Sequence, residues 1–282
     1  MPSRIFTDEQ EEVIAQDYLS GISERKLAIK YNVSRECIHG ALCRQDVEFR
    51  TPAERNRLYE LDNTVFDSID NEHTAYWLGF LFADGNTNGR SLNITLKGSD
   101  YEHLVKLASF LGSTRPIRQF TEGKYTKTNL QVTDQHLFDR LQELGITPFK
   151  EHPLTTINSI PKGLENHFIR GVWDGDGYAA TNPNNGVGFC GEKDLMLWIQ
   201  KTIATATNDT SKRKITKHKI SYIYYLRYSG RRVGLTAYNY MFQNATIWLE
   251  RKRQVVENWP SFKWRVKDSK GRYMTVPSLP NS

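Results

Sequence analysis

The sequence has few of the features that mark secreted, zinc-binding or membrane proteins. It contains three cysteines, none of them in a CxxC pair, which excludes a zinc site of that kind and favours a reducing compartment. No apolar run approaches the ~18 residues of a membrane-spanning helix, and the N-terminal residues do not have the pattern of a signal peptide. We therefore expect an intracellular protein that does not associate with membranes.

Acidic residues are scarce in the last third of the chain. Residues 201–282 contain 17 Lys and Arg against 4 Asp and Glu, whereas the first 200 residues contain 21 against 28. This asymmetry favours a polyanionic partner for the basic part, although a basic surface that is only solvated would show the same pattern. The 38% hydrophobic content of the 282 residues is typical of a folded chain with one large core or a few small domains.

The N-terminal pattern predicts three short helices. They span about Asp8–Leu19, Ser23–Tyr31 and Ser34–Arg44, with a turn at Asn32, a residue type that tolerates the left-handed backbone. The apolar residues expected to face the core are Val13, Ile14, Leu27, Ala28, Tyr31, Val33, Ile38 and Ala41.

Residues 1–48 resemble the helix-turn-helix of site-specific recombinases and phage regulators. The resemblance implies that the third helix enters the major groove of DNA. The candidate DNA contacts are Ser34, Arg35, His39 and Arg44. An ordinary three-helix bundle would share the same apolar pattern. A linker over 49–69 follows, with a short helix predicted from the capping sequence at Thr51–Glu54 and a cap at Asp70 for the next helix.

Two apolar stretches end in an Asp-Gly pair: WLGFLFADG at Trp77–Gly85 and IRGVWDGDG at Ile169–Gly177. Each is predicted to be a buried helix, followed by two strands, a helix, two strands and a helix. Asp84 and Asp176 are 92 residues apart, and the repeated element order implies a pseudo-twofold domain. A final helix is predicted over about Ala245–Asn258.

The glycines of these stretches predict how the two helices pack. Gly79 and Gly171 would let the backbones approach closely, because they carry no side chain. Gly85 and Gly177 would take the left-handed conformation that ends a helix. The carboxylates of Asp84 and Asp176 would then lie side by side, an unfavourable arrangement that a divalent cation would offset.

The two motifs resemble those of the LAGLIDADG homing endonucleases over about residues 70–258. The segments FDSIDNEHTAYWLGFLFADG and ATIWLERKR add to the resemblance, which is closest to phage- and intron-encoded members that carry an N-terminal helix-turn-helix. It implies an α+β fold of tandem pseudo-twofold αββαββα half-domains with saddle-shaped antiparallel sheets, preceded by the all-α helix-turn-helix domain. The half-domains would span 70–150 and 151–258, followed by a basic tail over 259–282.

In function, the resemblance implies a site-specific double-strand DNA endonuclease that leaves short 3′ overhangs. Mg²⁺ would be the cofactor, with Mn²⁺ as a substitute and Ca²⁺ supporting binding without turnover. The metal ligands would be Asp84 and Asp176, with the backbones of Gly85 and Gly177 as further candidates. The protein would act as a monomer on a long asymmetric duplex, without a protein partner, in a bacterial or phage-infected cell.

Each active site also needs a basic or polar group near the attacking water. The family pattern suggests Lys97, His136, Lys193 and Arg231, each of which could instead be a surface charge or a phosphate contact. The second motif has Asp174 where the first has Phe82, and Arg170 would pair with Asp174 one turn later. The candidate DNA contacts on the sheets are Asn93, Thr95, Arg118, Lys124, Lys127, Gln131, Lys212, Lys214, Lys217, Tyr222, Tyr224 and Arg227.

Two other functions share these features. A transcriptional regulator could keep the fold and lose the nuclease, although the presence of both Asp84 and Asp176 favours cleavage. An RNA maturase that assists intron splicing would also have this fold, and the DNA-type helix-turn-helix argues for DNA as the partner.

Overall fold

The protein is an α+β chain, described here from a computed structural model. The structure describes residues 5–50, 59–88, 91–147, 157, 160–260, 264–267 and 273–276. Within these ranges it has ten α-helices and two antiparallel sheets of four strands. The chain divides into one unit over Met1–Leu58 and a second over Tyr59–Ser282. The short helix predicted at Thr51–Glu54 lies outside the described residues.

The first unit consists of three helices around a small apolar core. They are α1 (Asp8–Leu19), α2 (Glu24–Tyr31) and α3 (Arg35–Arg44). Asn32 ends α2 in the left-handed conformation with φ of +52°, as predicted. Ile14 is fully buried, but Val13 is 47% exposed, so its predicted inward position is wrong. The buried positions of α1 are 11, 14, 15 and 18, a helical stripe from which residue 13 is rotated away.

The second unit contains the predicted repeat. Its first half is α4 (Glu72–Asp84), β1 (Asn86–Asn88), β2 (Ser91–Lys97), α5 (Tyr101–Phe110), β3 (Arg118–Glu122), β4 (Tyr125–Thr133) and α6 (Gln135–Glu143). Its second half is α7 (Glu165–Asp176), β5 (Tyr178–Ala179), β6 (Val187–Gly191), α8 (Lys193–Ala206), β7 (Thr216–Lys217), β8 (Tyr224–Tyr228) and α9 (Arg231–Phe242). The strand orders are β1-β2-β4-β3 and β5-β6-β8-β7, so the two sheets have the same topology.

Each sheet covers the core with one face and turns the other outward. Leu92, Ile94 and Leu96 of β2 are buried, as are Leu130 and Val132 of β4, whereas the alternate residues are at least partly exposed. This alternation is what a half-buried antiparallel strand requires. In the second sheet, Phe189 and Leu226 are fully buried in the same way.

Three predicted element boundaries are wrong. Asn71, and not Asp70, caps α4, because its side chain accepts hydrogen bonds from the N–H groups of His73 and Thr74. The segment KISYIYYLRYS predicts one strand over 219–229, but strand β8 begins only at Tyr224. The last helix, α10, spans Glu250–Glu257 and does not begin at Ala245. In the preceding segment the N–H groups of residues 246, 247 and 249 donate to side-chain carboxylates, so they are not used for a helix.

The predicted basic tail contains a strand pair. Strands β9 (Trp264–Lys267) and β10 (Tyr273–Val276) form an antiparallel ribbon. Of the helices in the part of the chain that the structure describes, none combines the length and the apolar character needed to cross a lipid bilayer.

Candidate functional site at the ends of two packed helices

Helices α4 and α7 pack with their backbones in direct contact. A Cβ atom built on Gly79 would lie 2.0 Å from the carbonyl oxygen of Phe168, and one on Gly171 would lie 2.0 Å from that of Tyr76. Any side chain at these two positions would force the helices apart. The close approach predicted for Gly79 and Gly171 is therefore confirmed.

Both helices end at their motif aspartates, but the following glycines do not take the predicted left-handed conformation. Gly85 has φ of −67° and Gly177 has φ of −84°, because the chain passes directly into a strand. Glycine is required here for space. A Cβ on Gly85 would lie 2.3 Å from the carbonyl oxygen of Leu81, and one on Gly177 would lie 2.4 Å from the indole ring of Trp173.

The two helix ends abut at Gly175. A Cβ on Gly175 would lie 2.3 Å from the Cβ of Ala83 and 3.5 Å from the backbone nitrogen of Asp84. Asp84 is half-buried and Asp176 is exposed, and both affect the same two neighbours, the Lys252 ammonium and the Cys190 thiol. The Asp84 and Asp176 side chains therefore share one small region, which we call the carboxylate pair.

Lys252 is the residue at this site that the sequence did not single out. Its Nζ donates hydrogen bonds to the carbonyl oxygens of Trp173 and Gly175, at 2.8 Å each, and so caps the negative end of α7. Burial lowers the pKa of Lys252 to about 8, although the negative charges of Asp174, Asp84 and Asp176 act in the opposite direction. The ammonium therefore remains mostly charged at neutral pH and offsets the repulsion within the carboxylate pair.

Cys190 and a neighbouring cavity complete the surroundings of Asp176. The Cys190 Sγ donates to the carbonyl oxygen of Asp176 at 2.7 Å, and burial together with the charge of Asp176 raises the pKa of the thiol. A cavity of about 310 Å³ opens beside them, lined by Phe82, Ala83, Val172, Asp176, Cys190, Gly191, Glu192, Leu195, Tyr222 and Ile223.

The donor set fits a hard divalent cation, although the protein atoms alone do not form a complete site. Carboxylate oxygens are the protein ligands that Mg²⁺ prefers, and this ion usually takes its remaining ligands from water and substrate phosphates. In the part of the chain that the structure describes, no group of three or more His, Cys, Asp or Glu residues could hold a metal ion by itself. Asp84 and Asp176 would hold the cation, with phosphate oxygens filling the other positions.

Asp174 and Arg170 do not form the predicted pair. Asp174 is buried, and burial raises its pKa to about 6; its carboxylate accepts from the Tyr76 hydroxyl at 2.7 Å and from the Leu249 N–H at 2.8 Å. Arg170 is fully buried and donates to Glu72 at 2.6 Å instead. The prediction considered contacts within α7 alone. The observed partners are Tyr76 and Glu72 of α4 and Leu249 of the segment before α10.

The four predicted basic or polar groups lie at different places. Lys193 is exposed at the start of α8, three residues after Cys190. Lys97 is exposed at the far end of β2. It lies four residues beyond Asn93, a distance of about 13 Å along the strand at ~3.3 Å per residue. His136 Nε2 donates a hydrogen bond to the Asp67 carboxylate at 2.8 Å. Arg231 begins α9 after Gly230, whose N–H donates to the carbonyl of Asn184.

The candidate DNA contacts of the first sheet share its outward face. Asn93 pairs in register with Gln131, Thr95 with Asn129, and Lys97 with Lys127. Asn129, which the sequence analysis missed, donates to the side chains of Asn93 and Thr95 and so orders this polar surface. Lys127 forms an ion pair with Glu122, Lys124 lies over the ring of Tyr125, and Arg118 is exposed on the outer strand β3.

The second sheet has basic residues on its outward face and at its edge. Arg227 is exposed and lies opposite Gly188 in the register, with its guanidinium 5.4 Å from the ring centre of Tyr225. Lys217 pairs in register with Tyr224 at the edge of the sheet. Tyr224 is partly buried and packs against the core, so its predicted place on the DNA-binding face is wrong. Lys212 and Lys214 are exposed just before β7. Tyr222 lies in the loop before β8 and is exposed.

Three of the predicted contacts in the first unit have acidic partners within that unit. Arg44 donates two hydrogen bonds, at 2.9 and 2.7 Å, to Glu11, which is fully buried. Arg35 and His39 both contact the carboxylate of Glu24, at 2.9 and 2.7 Å, while Ser34 precedes α3 and is exposed. All three therefore pair with a buried carboxylate, while the side chains of Arg35, His39 and Arg44 remain 58%, 52% and 42% exposed.

Comparisons with known proteins give only a distant likeness. No protein-family model and no curated protein sequence matches the chain. Among solved structures, mesophilic variants of the homing endonuclease I-DmoI are 14% identical with a TM-score of 0.43, covering 65% of this chain and 98% of that one. The I-LtrWI LAGLIDADG homing endonuclease bound to target DNA is 10% identical with a TM-score of 0.42, covering 65% and 88%. Full-length DUF199/WhiA from Thermatoga maritima is 16% identical with a TM-score of 0.43, covering 70% and 64%. At these values the likeness transfers no function to this chain.

Proposed function

We propose that this protein is a metal-dependent, site-specific double-strand DNA endonuclease of the LAGLIDADG type. The observation that carries the proposal is the carboxylate pair: Asp84 and Asp176 end two helices that are in backbone contact, next to a buried ammonium. Carboxylates held at the negative ends of two helices repel one another; the Lys252 ammonium offsets part of this repulsion, and a divalent cation between them would offset more.

The outward faces of the two sheets would hold the DNA, with the carboxylate pair between them. Asn93 pairs with β1, the strand that follows α4, and Gln131 pairs with Asn93. Arg227 pairs with β6, the neighbour of the strand that follows α7. A duplex on these faces would therefore bring its phosphates to the aspartates. A divalent cation bound there would supply an activated water and neutralise the phosphate oxygens. With one aspartate from each half, a monomer would cut both strands of a long asymmetric target and leave short 3′ overhangs.

Lys252 would stabilise the negative charge of the reacting phosphate. Its ammonium is fixed by two backbone carbonyls within the influence of both aspartates, so it adds positive charge without needing to reorganise. The exposed Lys193 is the other candidate, on the side of Asp176. The first unit would provide a separate DNA contact through Arg35 and His39.

A cleavage selection tests the proposal without knowledge of the target. The full-length protein is incubated with a randomised plasmid library and Mg²⁺, and the cut ends are sequenced. We expect a defined cut site with 3′ overhangs, activity with Mn²⁺, no activity in chelator, and binding without cutting in Ca²⁺. Asp84→Asn and Asp176→Asn should each abolish double-strand cleavage and leave binding at least as strong, because the substitution removes negative charge near phosphates.

The outcomes separate the alternatives. Sequence-specific binding without cleavage under any metal would favour a transcriptional regulator with this fold. Cleavage that continues in excess chelator, or that either asparagine variant retains in full, would show that the carboxylate pair is not the active site.

A further inference from the structure

The β7–β8 connection is an ordered loop. The His218 N–H donates to the carbonyl oxygen of Ile223 at 2.8 Å and closes residues 218–223, which we call the 218–223 loop. Inside it, His218 Nδ1 accepts from the N–H of Ser221 at 3.2 Å and contacts the Ser221 hydroxyl at 2.9 Å. These internal hydrogen bonds fix the shape of the loop before any partner binds, which lowers the entropy cost of using it as a contact.

The tip of this loop is apolar and points away from the core. Ile220 is 93% exposed and Tyr222 is 88% exposed, the two highest values among the exposed large hydrophobic side chains in the described residues. Isolated surface apolar residues are common, but two at the tip of an internally bonded loop are more typical of a binding surface.

The charge around the loop selects a polyanion as the partner. No Asp or Glu occurs between residues 210 and 249, whereas Lys217 and Lys219 flank the loop tip. The Lys217 ammonium lies 5.3 Å from the centre of the Tyr222 ring. An apolar tip flanked by two lysines fits a nucleic acid, whose phosphates meet the lysines while its base stack meets the aromatic and aliphatic groups.

The loop also adjoins the carboxylate pair. Tyr222 and Ile223 line the same cavity of about 310 Å³ as Asp176 and Cys190. DNA held with a phosphate at Asp176 would therefore place its neighbouring bases within reach of the loop tip. The corresponding β3–β4 connection is only the two-residue turn Gly123–Lys124, so the first half has no such loop.

We propose that the 218–223 loop is a wedge that places Ile220 and Tyr222 against the DNA base stack beside the Asp176 cleavage position and unstacks one base step there. This inference rests on the proposed function, since it requires DNA on the outward face of the second sheet. It makes the contact asymmetric: the base step on the second-half side of the cut is opened, and the one on the first-half side is not. Flexible pyrimidine–purine steps should be favoured at that position, because they unstack most easily.

The test measures base unstacking directly. The probe is the duplex recovered by the cleavage selection, or a mixed-sequence duplex at low salt if no cut is recovered, with 2-aminopurine placed in turn at each step. Ca²⁺ replaces Mg²⁺, and anisotropy records binding in the same samples. We expect a severalfold rise in 2-aminopurine fluorescence at one step on the second-half side. Ile220→Ser with Tyr222→Ser should remove this rise and weaken binding about 10-fold.

Two control variants distinguish the wedge from general loss of contact. Tyr125→Ser removes an equally aromatic, 63% exposed residue next to the short turn of the first sheet and should leave the fluorescence rise intact. Lys219→Ala should weaken binding and reduce its salt dependence without removing the rise. Binding by the parent protein with no rise at any step, or a rise that persists in the double serine variant, would overturn the wedge and leave the proposed function standing. Absence of DNA binding would overturn both.

Discussion

A single methyl group at the junction of the two helices tests the site most directly. In Gly175→Ala the new Cβ would lie 2.3 Å from the Cβ of Ala83, more than 1 Å inside the ~3.5 Å at which carbon atoms pack. The obstructing atom is attached directly to the backbone and cannot rotate away. The ends of α4 and α7, which carry the carboxylate pair, must therefore separate.

The expected magnitude follows from two opposing effects. Replacing a helical glycine by alanine stabilises a helix by about 1 kcal/mol, whereas overpacking a rigid contact costs about 1–3 kcal/mol or more. We expect Gly175→Ala to lower the free energy of unfolding by about 2 kcal/mol. Ala83→Gly should cost about 1 kcal/mol through helix propensity. The double variant moves the methyl group from one helix to the other, so it should return to within about 1 kcal/mol of the parent protein, a coupling of about 2–3 kcal/mol.

Tryptophan fluorescence during urea unfolding is a suitable assay, because all six tryptophans lie in the second unit. Trp77 and Trp173 are fully buried in the helices concerned. Cleavage activity should follow the same order: reduced in Gly175→Ala and recovered in the double variant. If Gly175→Ala were as stable as the parent, or if the two changes were simply additive, the two helix ends would not be in contact and the carboxylate pair would not exist.

The features that the sequence predicted correctly depend on local pattern. Helix α4 is a nearly continuous apolar run, α7 is buried from Asn166 to Asp174, and the two end at Asp84 and Asp176. Strand β2, which follows in the first half, alternates in polarity. The glycines Gly79 and Gly171 could be interpreted because close backbone approach leaves few other residue types possible. The same element order in both halves then indicated the repeat.

The features that the sequence did not predict depend on contacts between distant segments. The segment before α10 is extended because Glu72 accepts from Thr246 and Asp174 accepts from Leu249, and neither acceptor is near in sequence. That segment delivers Lys252 to the end of α7, so the position of this lysine could not follow from helical periodicity. Gly85 was assigned a left-handed turn because a helix C-terminus often has one, but the neighbouring carbonyl of Leu81 explains the glycine better.

Three further predictions concern the first unit, the buried Lys252 ammonium, and the clamp that Glu72 forms by binding Arg170 and the backbone of Thr246. Deletion of residues 1–50 should weaken DNA binding, shorten the footprint on one side and reduce its salt dependence, while cleavage at saturating protein persists; an unchanged footprint would assign these helices another role. Lys252→Met should lose cleavage while retaining binding, and the exposed-lysine control Lys201→Met should lose neither. Glu72→Gln should lower the free energy of unfolding by about 3 kcal/mol at neutral pH, because it leaves the buried guanidinium of Arg170 without its counter-charge. Burial alone would raise the pKa of Glu72, but hydrogen bonds from Thr246 and the charge of Arg170 lower it, so the native carboxylate is more acidic than the unfolded one. The stabilisation is therefore fully present above the unfolded pKa of about 4.3 and is lost as the pH falls through the lower native value. Urea unfolding of the parent and Glu72→Gln between neutral pH and pH ~3 should show two curves that converge only below the unfolded pKa, and a constant difference across that range would show that the ionised carboxylate does not stabilise this clamp.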